Sequence, residues 1–336
     1  MRKIYCHFIL VSCLVAMLCG CEFRPLEDPG MRTKVNVIVN VDSVKNITCD
    51  IYNDKIPVPE IFPDAMHLLF YNCDGNFLVS ESFITTKVQN TDKDCMMYGE
   101  VNILPDTYKM LACTFGSVDT DVLNYRNWST IQAQAKVEED YVQREYDACR
   151  AEDSRNAGLV SRMPEHIVVA RNEREVIPYH KGEYTIVTEA TTVVDSYYLQ
   201  VKVEGLEYVS GAKAYLSGMA SGNLLATDTK VESPEAIIHI PLLKSDDQGV
   251  PVVCNVFNTF GRNLEAVNEL SVTFDLTTIE GKVVSRSFDI TDLFHSEACI
   301  NHHWLLLDET IKVEADGGGF KPGVGEWDEE NHNMFF

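Results

Sequence analysis

The stretch KVNVIVNV sets valines at positions 35, 37, 39 and 41, with Asn36 and Asn40 among the residues between them. Alternation with a period of two puts successive side chains on opposite faces, so this segment reads as a strand with one face buried and one wet. The pattern recurs. YYLQVKVEGL alternates Leu199, Val201 and Val203 with Gln200, Lys202 and Glu204, and SVTFDL places Val272, Phe274 and Leu276 on one face. Turn residues punctuate these runs: Asp74-Gly75 within HLLFYNCDGNFLVSESF, Pro105-Asp106 within GEVNILPDTYKMLACTF, and Glu280-Gly281 after SVTFDLTT. Each is read as joining two strands. HIVVAR, YTIVTEATTVV and HWLLLDETIKV supply further strands, and SDDQG (245–249) a turn. Short strands at regular spacing predict an all-β chain of tandem β-sandwiches.

Residues 125–156 break the pattern. NYRNWSTIQAQAKVEEDYVQREYDACRAED lacks alternation and is rich in Glu, Gln and Ala, and Ser129 with Gln132 offers a capping box, so a short helical insertion is expected. A length of 336 residues with 45% apolar content favours about two domains. The weakest hydrophobic stretch, Asn172 to Gly182, is taken as their boundary. That gives an N-terminal domain over 34–172 and a C-terminal domain over 183–314. Gly317 to Gly319 then hinge a flexible acidic tail, 315–336, that carries Trp327 and ends in Phe335 and Phe336. These aromatics are candidate partner contacts, as anchors for an extended peptide pairing with a sheet edge.

The first twenty residues are expected to be removed. Arg2 and Lys3 precede the apolar run IYCHFILVSCLVAML, which is too short before Glu22 and Arg24 to span a bilayer comfortably. Leu18-Cys19-Gly20-Cys21 then reads as a lipobox. Its terminal cysteine takes a diacylglyceryl thioether, and cleavage before it frees an amine for a further acyl chain. Two or three chains make attachment durable where one is marginal. Residues 1–20 are therefore a signal peptide, Cys21 the lipidation site, and 21–33 a short tether. Apart from that covalent lipid no cofactor is expected.

With 51 acidic and 28 basic residues the formal net charge is −23, and loss of Arg2 and Lys3 makes the mature chain more acidic still. Such a chain repels nucleic acid and anionic lipid. Cys49, Cys73, Cys95, Cys113, Cys149, Cys254 and Cys299 are odd in number, scattered and never in a CxxC pair. At most one or two disulfides are expected, the other thiols serving as small buried hydrophobes. Cys299, His302 and His303 suggest a metal, yet adjacent histidines on a strand point to opposite faces, so none is expected. SGMASG (217–222) lacks the register of a nucleophile elbow. No constellation supports catalysis. Trp304 lies in an apolar strand and reads as core, whereas Trp128, in the insertion, is a candidate ligand contact.

The lipobox leading into CEFRPLEDP resembles a lipoprotein family of gut Bacteroides. The resemblance continues through CDIYNDKIPVPEIFPDAMHLLFYNCDG, HIVVARNEREVIPYHKGEYTI, YYLQVKVEGLEYVSGAKAYLSGMASG, GVPVVCNVFNTFG and CINHHWLLLDETIKV. That family is similar to the fimbrium-anchoring subunits of type V pili. The resemblance implies two tandem transthyretin-like β-sandwiches in a lipid-anchored protein of the outer membrane, exposed at the cell surface. It also implies fimbrial, pilin-like partners joined by β-strand addition. Stalk subunits of that class open a groove when a protease removes the first strand after a basic residue, whereas an anchor keeps its lipidated N-terminus and ends the polymer. A short tether before a strand at Lys34 fits the anchor. The alternative is a surface glycan- or protein-binding lipoprotein. An exposed aromatic row on one sandwich face would mark the binder, and a long apolar groove open to a donor strand would mark the anchor.

Overall fold

The structure is a computed structural model that describes residues 32–57, 61–89, 94–116, 118–149, 158–179, 182–263 and 270–315. The first part of the chain supplies β1 (Thr33–Asp42), β2 (Met66–Asn72), β3 (Leu78–Ile84), β4 (Thr86–Gln89), β5 (Asp94–Ile103), β6 (Asp106–Thr114), β7 (Thr120–Leu123), β8 (Gln132–Ala135), β9 (Leu159–Ser161), β10 (Val168–Ile177) and β11 (Glu183–Thr192). The second supplies β12 (Asp195–Glu204), β13 (Val209–Met219), β14 (Gly222–Leu224), β15 (Thr229–Val231), β16 (Ala236–Asp247), β17 (Val250–Thr259), β18 (Ser271–Thr278), β19 (Val283–Asp289) and β20 (Trp304–Lys312).

Eight strands form the first sheet in the order β3-β2-β6-β10-β11-β1-β5-β4. It folds over on itself. β10 and β11 share only the pairs Val168–Thr192 and Val169–Thr191, and on the other side β3 passes into β4 through Thr85. The two layers enclose Val35, Val37, Leu68, Phe70, Met97 and Met110. The second sheet runs β19-β18-β13-β16-β17-β12-β20, with β9 alongside β16. Its long strand β16 pairs with β13 up to Leu242 and with β17 from Leu243, so one strand bends from layer to layer. Leu199, Val201, Val203, Val272, Phe274 and Leu276 fill the space between, as their alternation predicts.

Two devices join the sandwiches. A four-stranded sheet, β15-β14-β8-β7, takes two strands from each part, and Gly222, Asn223 and Leu224 pair with Gln134, Ala133 and Gln132. Gly222 is needed there: a Cβ would lie 2.3 Å from the Ala133 carbonyl oxygen. Beneath this small sheet the outer face of the first sandwich (Leu69, Tyr71, Leu111) packs with Trp128, Leu225 and Phe260. The second device is the segment after β1. Asp50 N donates to His302 O (3.1 Å), Trp304 Nε1 to Asp50 O (3.0 Å), and Tyr52 Oη to Asp247 Oδ2 (2.8 Å).

Several expectations change. Pro105-Asp106 does not close a hairpin, because β5 pairs with β1 and β4 while β6 pairs with β2 and β10. Turn chemistry reverses a chain without choosing its partner, and here it carries the chain across the core. Residues 172–182 do not part the sheets: β10 runs through Asn172, and β11, which the sequence places in the second domain, pairs with β1. The chain leaves the first sheet after Thr192. The insertion holds one helix, Asp140–Cys149, but its front is strand β8, whose Ala133 and Ala135 are buried. Ser129 caps no helix and donates to Asn127 Oδ1 (2.7 Å). Asp74-Gly75, Glu280-Gly281 and residues 245–249 do close hairpins, the last with Gln248 and Gly249 at φ 51° and 88°.

Candidate assembly surface

The first strand is not at an edge. β1 lies between β11, with which it runs parallel over eight residue pairs, and β5, with which it runs antiparallel over ten. Val35, Val37, Val39 and Val41 are each at most 1% exposed, so its whole apolar face is in the core. Its polar face is held as well. Lys34 Nζ reaches Glu183 and Glu100, both at 3.0 Å, and Asn36 Nδ2 donates to Glu183 Oε2 (3.0 Å). These hydrogen bonds hold the Lys34 ammonium above its usual pKa and the Glu183 carboxyl below its own. Being solvent-exposed, the pairs contribute little energy but fix the register. β1 is thus an inner strand of its own sheet, paired on both sides.

At the other end of the chain, β20 borders β12 on one side only and carries no second neighbour among the described strands. The tail follows directly from this edge. Leu18, Cys19, Gly20, Cys21, Trp327, Phe335 and Phe336, the lipobox and tail candidates, lie outside the described residues. Trp128 is 5% exposed, edge-on to Tyr71 with ring centroids 5.6 Å apart and Lys109 Nζ 5.8 Å from its own. It is therefore an internal contact between the sandwiches and offers no surface to a ligand. The reason is distant in sequence, since the segment that bears it is covered by the second sandwich.

Among the described residues six thiols are unpaired, and five of them, Cys49, Cys95, Cys113, Cys254 and Cys299, are buried. Burial pushes Cys49 and Cys113 up to about 12 and Cys299 up to about 11, which leaves them protonated and unreactive. Residues 297–302 form a helix, so His302 does not lie on the strand that the argument against a metal assumed. His303, at φ 58°, turns out of it. His302 Nδ1 lies 2.7 Å from Asp50 Oδ2 and His303 Nδ1 3.0 Å from Ser196 O, so the two histidines serve separate contacts. Among the described residues no group of three or more His, Cys, Asp or Glu is placed to hold a metal ion.

Sequence reasoning missed a patch of rings on the outer face of the first sandwich. His67 (β2) stacks on Phe83 (β3) and on Phe115, just past β6, at 5.0 and 5.4 Å, and Tyr125 lies 5.4 Å away. Phe83 is 55% exposed and Phe115 39%. The available signal was in LVSESFI, where Phe83 falls on the wet face of an alternating strand.

The fold is that of a pair of linked β-sandwiches. A putative adhesin from Bacteroides ovatus ATCC 8483 superposes with a TM-score of 0.57 at 15% identity, covering 88% of this chain and 97% of that one. The fimbrial anchor protein Mfa2 from Porphyromonas gingivalis gives 0.46 at 12% identity, covering 84% and 92%. A fimbrial assembly protein from Parabacteroides distasonis ATCC 8503 gives 0.37 at 8%, covering 78% and 87%. Only the first of these three shares enough geometry to support a statement about fold. Curated protein sequences give no match. Residues 39–239 match the model of a domain of unknown function, DUF5119, and the chain belongs to that family.

Proposed function

We propose that the mature chain is a lipid-anchored surface protein that seats a fimbrium, the membrane-side end of a polymer assembled by strand addition. The observation that carries this reading is the placement of β1. It begins at Thr33, the last residue of the 21–33 tether, and completes its own sandwich between β5 and β11. A subunit whose acceptor groove is filled by its own lipid-tethered strand takes no donor there. It ends a polymer instead of extending it. The two sandwiches act as tandem transthyretin-like domains that meet at Val193-Val194.

Cys21 supplies attachment through its acylated thioether and amine, with Leu18, Cys19 and Gly20 fitting the cleavage site. Contact with the fimbrial subunit comes from main-chain hydrogen bonds along a free edge, with the tail after β20 as the extended element and Trp327, Phe335 and Phe336 as its anchors. An exposed edge is a template for pairing, which is what such an element requires.

The test compares cells expressing wild type with cells expressing Cys21→Ser, by crosslinking, affinity purification and mass spectrometry. Wild type should capture pilin-like subunits as a size ladder in the membrane fraction, and Cys21→Ser should release that ladder to the medium. Capture of transporter components or glycans without any polymerising subunit would overturn the reading.

A further inference from the structure

We infer that the outer face of the first sandwich binds a neutral glycan across Phe83 and Phe115, a site independent of fimbrial anchoring. The two rings form a ridge, centroids 5.7 Å apart. His67 supports both from beneath, its side chain only 12% exposed. Each ring also borders a hollow. The larger, about 560 Å³, is lined by Phe83 with Asn36, Thr86, Tyr98, Glu100 and Thr185, and the other, about 400 Å³, by Phe115 with Asp64 and Glu165. Both volumes fall in the range of small-molecule sites, and a hollow beside each of two touching rings suits a chain of sugars better than a single one.

The chemistry selects the ligand class. Exposed ring faces stack on the apolar faces of pyranoses, and the surrounding groups are mainly acceptors and hydroxyls. Thr86, Tyr98 and Thr185 set hydroxyls around the larger hollow, groups that can pair with those of a sugar. Glu81, 3.6 Å from His67 Nε2, adds a carboxylate beside the rings. The nearby cations are paired, Lys34 with Glu100 and Glu183, and Lys87 with Asp64. A face so rich in carboxylates disfavours uronic and sialic acids. The larger hollow lies over side chains of β1, β5 and β11, and the backbone groups of β1 are already used on both sides, so no peptide strand pairs with β1 there.

The experiment uses the full mature chain, made soluble by Cys21→Ser, in affinity electrophoresis through gels containing xyloglucan, laminarin, starch or polygalacturonate. At least one neutral polymer should retard the protein, and polygalacturonate should not. The double variant Phe83→Ala/Phe115→Ala should bind that polymer at least tenfold more weakly with its melting temperature unchanged, while Phe83→Tyr should retain binding. The inference is overturned if no neutral polymer retards the protein, if the double variant binds as wild type does, or if polygalacturonate binds equally. A photo-crosslinking residue at position 83 gives an independent readout on cells: capture of a protein subunit and no glycan would make the face a subunit interface instead.

Discussion

A chain that starts at Ser43, lacking tether and β1, is expected to lose the cooperative unfolding transition of its first sandwich. Burying each of Val35, Val37, Val39 and Val41 contributes on the order of 1.5–3 kcal/mol. Together these approach the 5–15 kcal/mol that typically separates folded from unfolded domains. Removing β1 also strands the backbone groups of β5 and β11 that it pairs with. A synthetic peptide of residues 32–42 should restore the transition, with a midpoint that rises with peptide concentration, because a ligand of the folded state stabilises by mass action. The readout is thermal melting by circular dichroism with and without peptide. An unchanged transition in the truncated chain would mean that β1 is dispensable and would remove the basis for a self-filled groove.

The second large effect concerns acid. His166 lies at the junction of the sandwiches, its Nε2 3.0 Å from Ser196 Oγ and its Nδ1 3.3 Å from Thr192 Oγ1. Ser196 in turn donates to Asn258 Oδ1 (2.8 Å), and Asn258 to the Pro164 carbonyl (3.1 Å). Burial lowers the His166 pKa from its ordinary 6.5 to about 4. Above pH 6.5 the ring is neutral in both states and contributes no pH dependence. As pH falls from 6.5 to about 4 the unfolded chain takes up a proton that the folded chain refuses, so stability declines, and the loss levels off below the folded pKa. The full loss is about 3 kcal/mol. His166→Asn should make the stability curve shallower in that window, as read from denaturant midpoints at pH 7 and pH 5, the remaining slope coming from His67, whose pKa burial also lowers. The lowered carboxyls of Glu183, Asp246 and Asp289 begin to lose their contributions as pH falls through their ordinary values of 4.5 and 3.8, so the histidine effect is read above about pH 5. An unaltered slope between pH 6.5 and 5 in the variant would show that His166 is not the acid-sensitive group.

Alternating strands were legible. β1, β12 and β18 each turn every second residue into a core, and the two-residue period survives whatever they pair with, although Gln200 and Asp275 on the other faces of β12 and β18 are buried as well. Pairing was not legible. β11 alternates too, yet its partner β1 lies about 150 residues upstream, and nothing local distinguishes a strand of the first sheet from one of the second. The same blindness turned Pro105-Asp106 into a hairpin. In QAQA the buried faces belong to two alanines, which a propensity-based reading counts toward helix. Trp128 shows the limit for sites, because its burial depends on Tyr71 and on the second sandwich. The rings of His67, Phe83, Phe115 and Tyr125 come from four separate segments and become a patch only once β2, β3 and β6 are aligned.

The most direct test of the anchoring role is the mass of the native N-terminus of the protein isolated from membranes. A self-filled, lipid-tethered terminal subunit predicts an acylated Cys21 as first residue, with the chain intact through Arg32 and Lys34. A protein that begins at Thr33 or Val35, cut after one of those basic residues, would contradict the account, because the chain would then have lost Cys21 and with it the lipid that makes it an anchor.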